Sequence, residues 1–173
     1  MKTLTFILLA FFSALIFAQY PGADEYQSEY SEEDLPYVEI KRVTNFAELT
    51  REARESKKII LLEMSASYCG YCKTLEEFII KPMLRSGDYT KNVLIRKLDI
   101  DSYYPMQDLT GKQSSPSRIA NGLDVSLTPT LLFLDGNGKE VSERIIGVNT
   151  LEYYGAYVDD ALLQGHRLIN NRD

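Results

Sequence analysis

Alternating helical and strand patterns over most of the chain predict an α/β fold. Three observations lead there. The apolar run Ile59-Ile60-Leu61-Leu62-Glu63-Met64 reads as a buried strand and leads directly to Cys69-Gly70-Tyr71-Cys72. Behind that motif Leu75, Phe78, Ile79 and Met83 recur at helical spacing and are expected to face the core. Val93–Ile100 and Thr128–Leu134, the latter with Pro129 near its start, are further apolar strands, and the second is followed by Asp135-Gly136-Asn137-Gly138, a strong hairpin turn.

The chain begins with Lys2 and a nearly continuous apolar stretch from Leu4 to Phe17, about 14 residues, which fits the core of an export signal and is short for a membrane span. Residues 1–18 are expected to be a signal peptide with Ala18 as its last residue, although Ile16 is bulkier than the small residue usual before such a site. Residues 19–37 read as an acidic linker. Asp24, Glu25, Glu29, Glu32, Glu33 and Asp34 stand there without a basic residue among them, interspersed with Tyr20, Tyr26 and Tyr30. One domain is expected over 38–173.

Within that domain Asn45-Phe46-Ala47-Glu48 has the spacing of a helix cap, and about three turns should follow, to Ser56 or Lys57. The buried strand and the C-x-x-C helix come next, and Pro82 should kink or end that helix. After the strand Asn92–Ile100, residues 102–126 read as a long irregular segment holding one short helix, Ser115–Ala120, with Pro116 in its first turn. Thr128–Leu134 and a return strand Glu140–Ile146 flank the hairpin turn. Tyr153–Leu168 closes the chain as a helix with Tyr154, Tyr157, Val158, Ala161 and Leu162 on its core face.

The formal charge is −6 over 173 residues. That balance argues against nucleic acid and anionic membrane surfaces as partners. The chain has two cysteines, both in the motif. A thiol at a helix start meets unpaired N–H groups and a partial positive charge, and both favour the thiolate on Cys69. Other uses of the pair fit less well. Structural zinc needs about four ligands, and the one histidine, His166, lies far along the chain and is expected at the surface. Lys73 follows Cys72 where a c-type haem site needs His. A disulfide across two residues closes too small a loop to restrain the unfolded chain. No metal and no cofactor is expected. An exported chain with one cysteine pair is better suited to exchange with the disulfides of other proteins than to hold itself together.

The order helix, strand, C-x-x-C helix, strand, helix, strand starting at Pro, hairpin, closing helix resembles the thioredoxin superfamily over about residues 38–170. Phe78–Tyr89 and Ile146–Tyr157 are similar to exported bacterial thioredoxin-like proteins associated with sulfur oxidation. The resemblance implies a thioredoxin fold: a central mixed sheet flanked by helices, with a cis-proline loop beside the N-terminus of the C-x-x-C helix. It implies that Cys69 is the exposed nucleophile and Cys72 the resolving cysteine. Glu63 corresponds to the buried acid of the preceding strand, Lys97 to a strand lysine near that acid, and Pro129 to the cis proline. Thr128 and Pro129 would pair with an extended client segment. Tyr68 and Tyr71 either form part of an apolar client-binding rim or pack over the helix start. The motif departs from ordinary thioredoxins, which have Trp before the first Cys and Gly-Pro between the two; here Tyr68 and Gly70-Tyr71 take those places, and the chain has no Trp.

The function expected is a monomeric periplasmic thiol–disulfide oxidoreductase that reduces protein disulfide clients through a Cys69–Cys72 cycle. It would be fed by a membrane-embedded thiol donor, because the compartment is oxidising. Two alternatives stay open: a disulfide oxidase or isomerase, and a protein that handles Cu(I) through the same two soft thiolates.

Overall fold

The structure, a computed structural model, describes residues 35–171. The expected signal segment and all but the end of the expected linker lie outside the described residues. Helix α1 (Phe46–Ser56) starts where the sequence places it: the Asn45 side chain accepts the Glu48 N–H at 3.0 Å. Phe46, Leu49, Thr50 and Ala53 form its buried stripe, and it ends at Lys57 in the left-handed region.

Strand β1 (Ile59–Ser65) is buried along its whole length. It runs parallel to β2 (Val93–Asp99), from Ile59 opposite Val93 to Ser65 opposite Asp99. On its other side it pairs antiparallel with β5 (Thr130–Leu134), and β5 pairs with the short β6 (Ile145–Ile146). The order is β2-β1-β5-β6, a mixed sheet. Both faces of β1 are covered, which is why its apolar run is continuous. Ile59 and Leu61 point to a core shared with Leu75, Ile80, Tyr154 and Val158. Ile60, Leu62 and Met64 point to the opposite core, shared with Phe46, Leu49 and Ile119. Strand alternation therefore places Glu63 on the face of Ile59 and Leu61.

The motif helix differs from its periodic pattern. Helix α2 (Gly70–Leu75) passes through a π-helical turn (Glu76–Ile80) into α3 (Lys81–Ser86) without a break. The Lys81 N–H bonds to the Glu76 carbonyl, five residues back. Pro82 neither ends the helix nor breaks it. The wide turn just before it relieves the clash that a proline ring makes with the preceding turn. The extra residue also rotates the buried stripe. Ile80, five residues after Leu75, takes the core position, and Phe78 is left 59% exposed, against its expected place in the core.

Three further expectations are corrected. The return strand does not run over the whole of Glu140–Ile146. The ladder holds through Val141, whose N–H reaches the Phe133 carbonyl at 2.9 Å, and resumes only at Ile145. Between them Arg144 turns away to the carbonyls of Leu123 and Asp124, both at 3.0 Å, and to Glu140. The irregular segment contains a two-stranded hairpin, β3 (Met106–Gln107) and β4 (Gln113–Ser114), whose turn is held by the Asp108 carboxylate on Thr110 and Lys112 N–H groups. Its helix α4 (Pro116–Gly122) has Ser115 as cap and Pro116 in the first turn, as expected. The closing helix α5 (Leu151–Asn170) buries Tyr154, Val158, Ala161 and Leu162, but Tyr157 is exposed and His166 is half-buried, its pKa lowered by burial.

Candidate active site

The site grows from the C-terminal ends of β1 and β2. The connection Ala66-Ser67-Tyr68 turns the chain into α2, with the Cys69 N–H on the Ala66 carbonyl at 3.0 Å. Cys69 is the N-cap of α2, and its sulfur accepts the Cys72 N–H at 3.1 Å. Cys69 and Cys72 form a disulfide, so the structure presents the oxidised couple. Cys69 is 7% exposed and Cys72 1%. Both are buried, Cys72 the more completely. A sulfur at this position meets an N–H donor and the positive end of a helix that continues to Ser86, and both stabilise its thiolate.

Strands β1 and β2 also carry a cluster of charges. Glu63 has no exposed surface, and neither of its carboxylate oxygens has a hydrogen-bonding partner. Burial, and secondarily the Glu76 carboxylate, push its pKa up to about 8, against the pull of Lys97. Lys97 stands opposite Glu63 in the strand register, yet its ammonium bonds to Glu76 and, at 3.3 Å, to Asp99. Burial opposes the Lys97 charge, but those two carboxylates outweigh it and hold its pKa above the ordinary value. Asp99 also receives Arg42 at 2.7 Å; Arg42 is brought there by a single backbone bridge between its own residue and Lys97. Tyr154 of α5 faces the same cluster, its pKa raised by burial and by Glu63.

The Thr128–Pro129 peptide is cis. Thr130 pairs with Met64, so Pro129 lies one step further, at the end of β1 from which the Cys69 turn departs. Thr128 precedes it at the same end of the sheet. Tyr68 and Tyr71 are 77% and 67% exposed and do not pack over the helix start.

Sequence reasoning missed four members of this neighbourhood. Glu76 sits one helical turn after Cys72, a spacing that could have singled it out. Arg42 and Asp99 are joined only through the register of β2. Asp101, two residues past β2, takes the Ser67 N–H on both oxygens at 3.1 Å and the Ser67 hydroxyl as well. Nothing local in the sequence marks that contact.

A mixed sheet with helices on both faces, a C-x-x-C pair capping a helix at the sheet's end and a cis proline at the neighbouring strand define a thiol–disulfide exchange protein of the thioredoxin fold. The chain belongs to the thioredoxin-like family: the family's domain profile matches residues 46–162. It is similar to the thiol:disulfide interchange protein DsbD of Actinobacillus pleuropneumoniae, 24% identical over 147 residues that cover 82% of this chain and 24% of that protein. DsbD of Escherichia coli K12 is 24% identical over 127 residues, 73% of this chain and 20% of that protein. The chain thus spans about a quarter of the length of these curated relatives. Among solved structures, thioredoxin NaTrxh of Nicotiana alata is 26% identical with a TM-score of 0.51, over 75% of this chain and 97% of that one. Malassezia sympodialis thioredoxin shares the fold with a TM-score of 0.53 at 17% identity, over 76% of this chain and 95% of that one.

Proposed function

We propose that this chain is an exported, periplasmic reductase of protein disulfides, working as a monomer with Cys69 as nucleophile and Cys72 as resolving thiol. The observation that carries the reading is the asymmetry of the pair: Cys69 caps the helix, accepts the Cys72 N–H and keeps 7% exposure, whereas Cys72 keeps 1%. In the reduced protein the Cys69 thiolate attacks one sulfur of a client disulfide. A Cys69–client disulfide forms, and the other client sulfur leaves as a thiolate that takes a proton from solvent. Where Glu63 is ionised, Cys72 then gives its proton to that carboxylate and attacks the Cys69 sulfur. The mixed disulfide breaks, the second client sulfur leaves as a thiolate, and the client has gained the two electrons that the Cys69–Cys72 pair has lost.

Glu63 suits the proton step. Its pKa of about 8 leaves it mostly protonated at neutral pH but lies close to the ~8.5 of a free thiol, so in the ionised fraction, which grows toward pH 8, transfer from Cys72 costs little. Lys97 supports the ionised form of Glu63, and Thr128 and Pro129 offer backbone beside the cysteines for an extended client to pair with. Tyr68 and Tyr71 supply apolar surface around the nucleophile. Export is supported by Lys2 and the apolar stretch Leu4–Phe17. Exchange is supported by the similarity to DsbD, a thiol:disulfide interchange protein. In an oxidising compartment the couple must be re-reduced, and a membrane-embedded thiol donor would do it.

The test is the reduction potential of the Cys69–Cys72 couple in a thiol buffer. A value near about −270 mV is expected for a reductant. A value near about −120 mV would make the protein an oxidant or isomerase and overturn the direction proposed.

A further inference from the structure

Building on the exchange mechanism above, we propose that Asp101 is a positioning residue that holds Cys69 in its attacking geometry through Ser67. The turn that delivers Cys69 is gripped at both ends by backbone: the Ile100 N–H on the Ser65 carbonyl at 2.9 Å, and the Cys69 N–H on the Ala66 carbonyl at 3.0 Å. Its middle is gripped by a side chain. Asp101 accepts the Ser67 N–H on both oxygens at 3.1 Å and the Ser67 hydroxyl in addition. Asp101 is itself anchored, because it follows β2 by two residues and β2 is locked to β1 up to the Ser65–Asp99 pair. The line of support runs from the rigid sheet through Asp101 to Ser67, and from there across Tyr68 to the nucleophile. The Ser67 hydroxyl and N–H hold the Asp101 carboxyl below its ordinary pKa, so it remains an ionised acceptor wherever the Cys69 thiolate forms.

The chemical consequence concerns the thiolate. In the disulfide the Cys69 sulfur accepts the Cys72 N–H, and after reduction the same donor would stabilise the thiolate only while the turn keeps the sulfur within reach. Releasing Ser67 lets the turn move and weakens that contact. The carboxylate has an opposite effect as well, since its negative charge disfavours a nearby thiolate. Two substitutions separate them. Asp101→Asn removes the charge and keeps an acceptor for Ser67. Asp101→Ala removes both.

The experiment uses the reduced full chain and two readouts: the Cys69 thiolate titration by ultraviolet absorbance, and the exchange rate with 2-hydroxyethyl disulfide below the titration midpoint. The Asp101→Ala midpoint is expected above that of Asp101→Asn, and its exchange rate about threefold lower, the worth of one weakened hydrogen bond. Coincidence of the two variants in both readouts overturns the proposal, including the case in which Asp101→Ala only lowers stability to urea. Should Asp101→Ala fail to fold, Ser67→Ala, which keeps the charge and the main-chain donor, is expected to raise the midpoint above wild type; an unchanged midpoint overturns the proposal. A wild-type chain that exchanges with no disulfide would sink the exchange mechanism itself, while the thiolate midpoints would still decide the role of Asp101.

Discussion

Replacing Glu63 with Gln should remove a pH dependence of stability that a single buried carboxyl creates. Glu63 titrates at about 8 in the folded chain against an ordinary 4.5, because burial and the neighbouring Glu76 disfavour its charge. Between those two values the folded chain keeps a proton that the unfolded chain has released. Stability is then complete below the unfolded value and falls as pH rises, by about 1.4 kcal/mol per pH unit, levelling off once Glu63 ionises in the folded chain. The whole window is worth about 5 kcal/mol. Glu63 has no exposed surface, so solvent screening does not reduce this figure. The glutamine that replaces it cannot ionise. Its buried amide adds a constant penalty of about 1–3 kcal/mol if unpartnered, which does not change with pH. The assay is urea unfolding of the oxidised protein at a series of pH values spanning that window, for both chains. The stability of Glu63→Gln relative to wild type should climb steadily with pH and end several kcal/mol higher than it began. Two curves that stay parallel would refute the reasoning, because they would mean that Glu63 ionises as easily inside the protein as outside it.

Two further outcomes are expected. Cys72→Ser should accumulate a disulfide between Cys69 and the client, visible on non-reducing gels, while Cys69→Ser should neither trap a client nor reduce one; exchange by Cys69→Ser would assign the nucleophile wrongly. Gly136→Ala should cost about 3 kcal/mol in thermal or urea unfolding, because the new methyl would stand 2.7 Å from the Arg54 nitrogen and 2.8 Å from its Cα, backbone that cannot swing aside; Gly155→Ala, with nothing within 4 Å, is the control and should not lower stability.

Much of the site was legible in the sequence because its signals are local. The two cysteines and the helix start lie within one stretch of chain. Glu63 stood out as the one charge in an otherwise apolar strand, and its burial follows from that company. Pro129 and Lys97 came from likeness to a family, and Lys97 shows the limit of that route. Likeness places it near Glu63, which the register bears out, but its ammonium is bonded to Glu76 and Asp99. The helix stripe failed in one place for a geometric reason. Pro82 announces a disturbance, yet nothing in the sequence says that it is absorbed as one extra residue in the preceding turn, and that residue exchanges Phe78 for Ile80 in the core.

The sequence by itself determined the order of the main elements, the cysteine pair and the burial of Glu63, since hydrophobic period, caps and turn residues act over a few positions of chain. Only the tertiary structure decided which partners those groups meet. Arg42 reaches Asp99 across 57 positions, Lys97 reaches Glu76 across 21, and Ser67 reaches Asp101 across 34. Such pairs depend on the register of β1 against β2 and on the packing of α2 over them. Register is set by the whole buried face at once, so it cannot be read from any one segment.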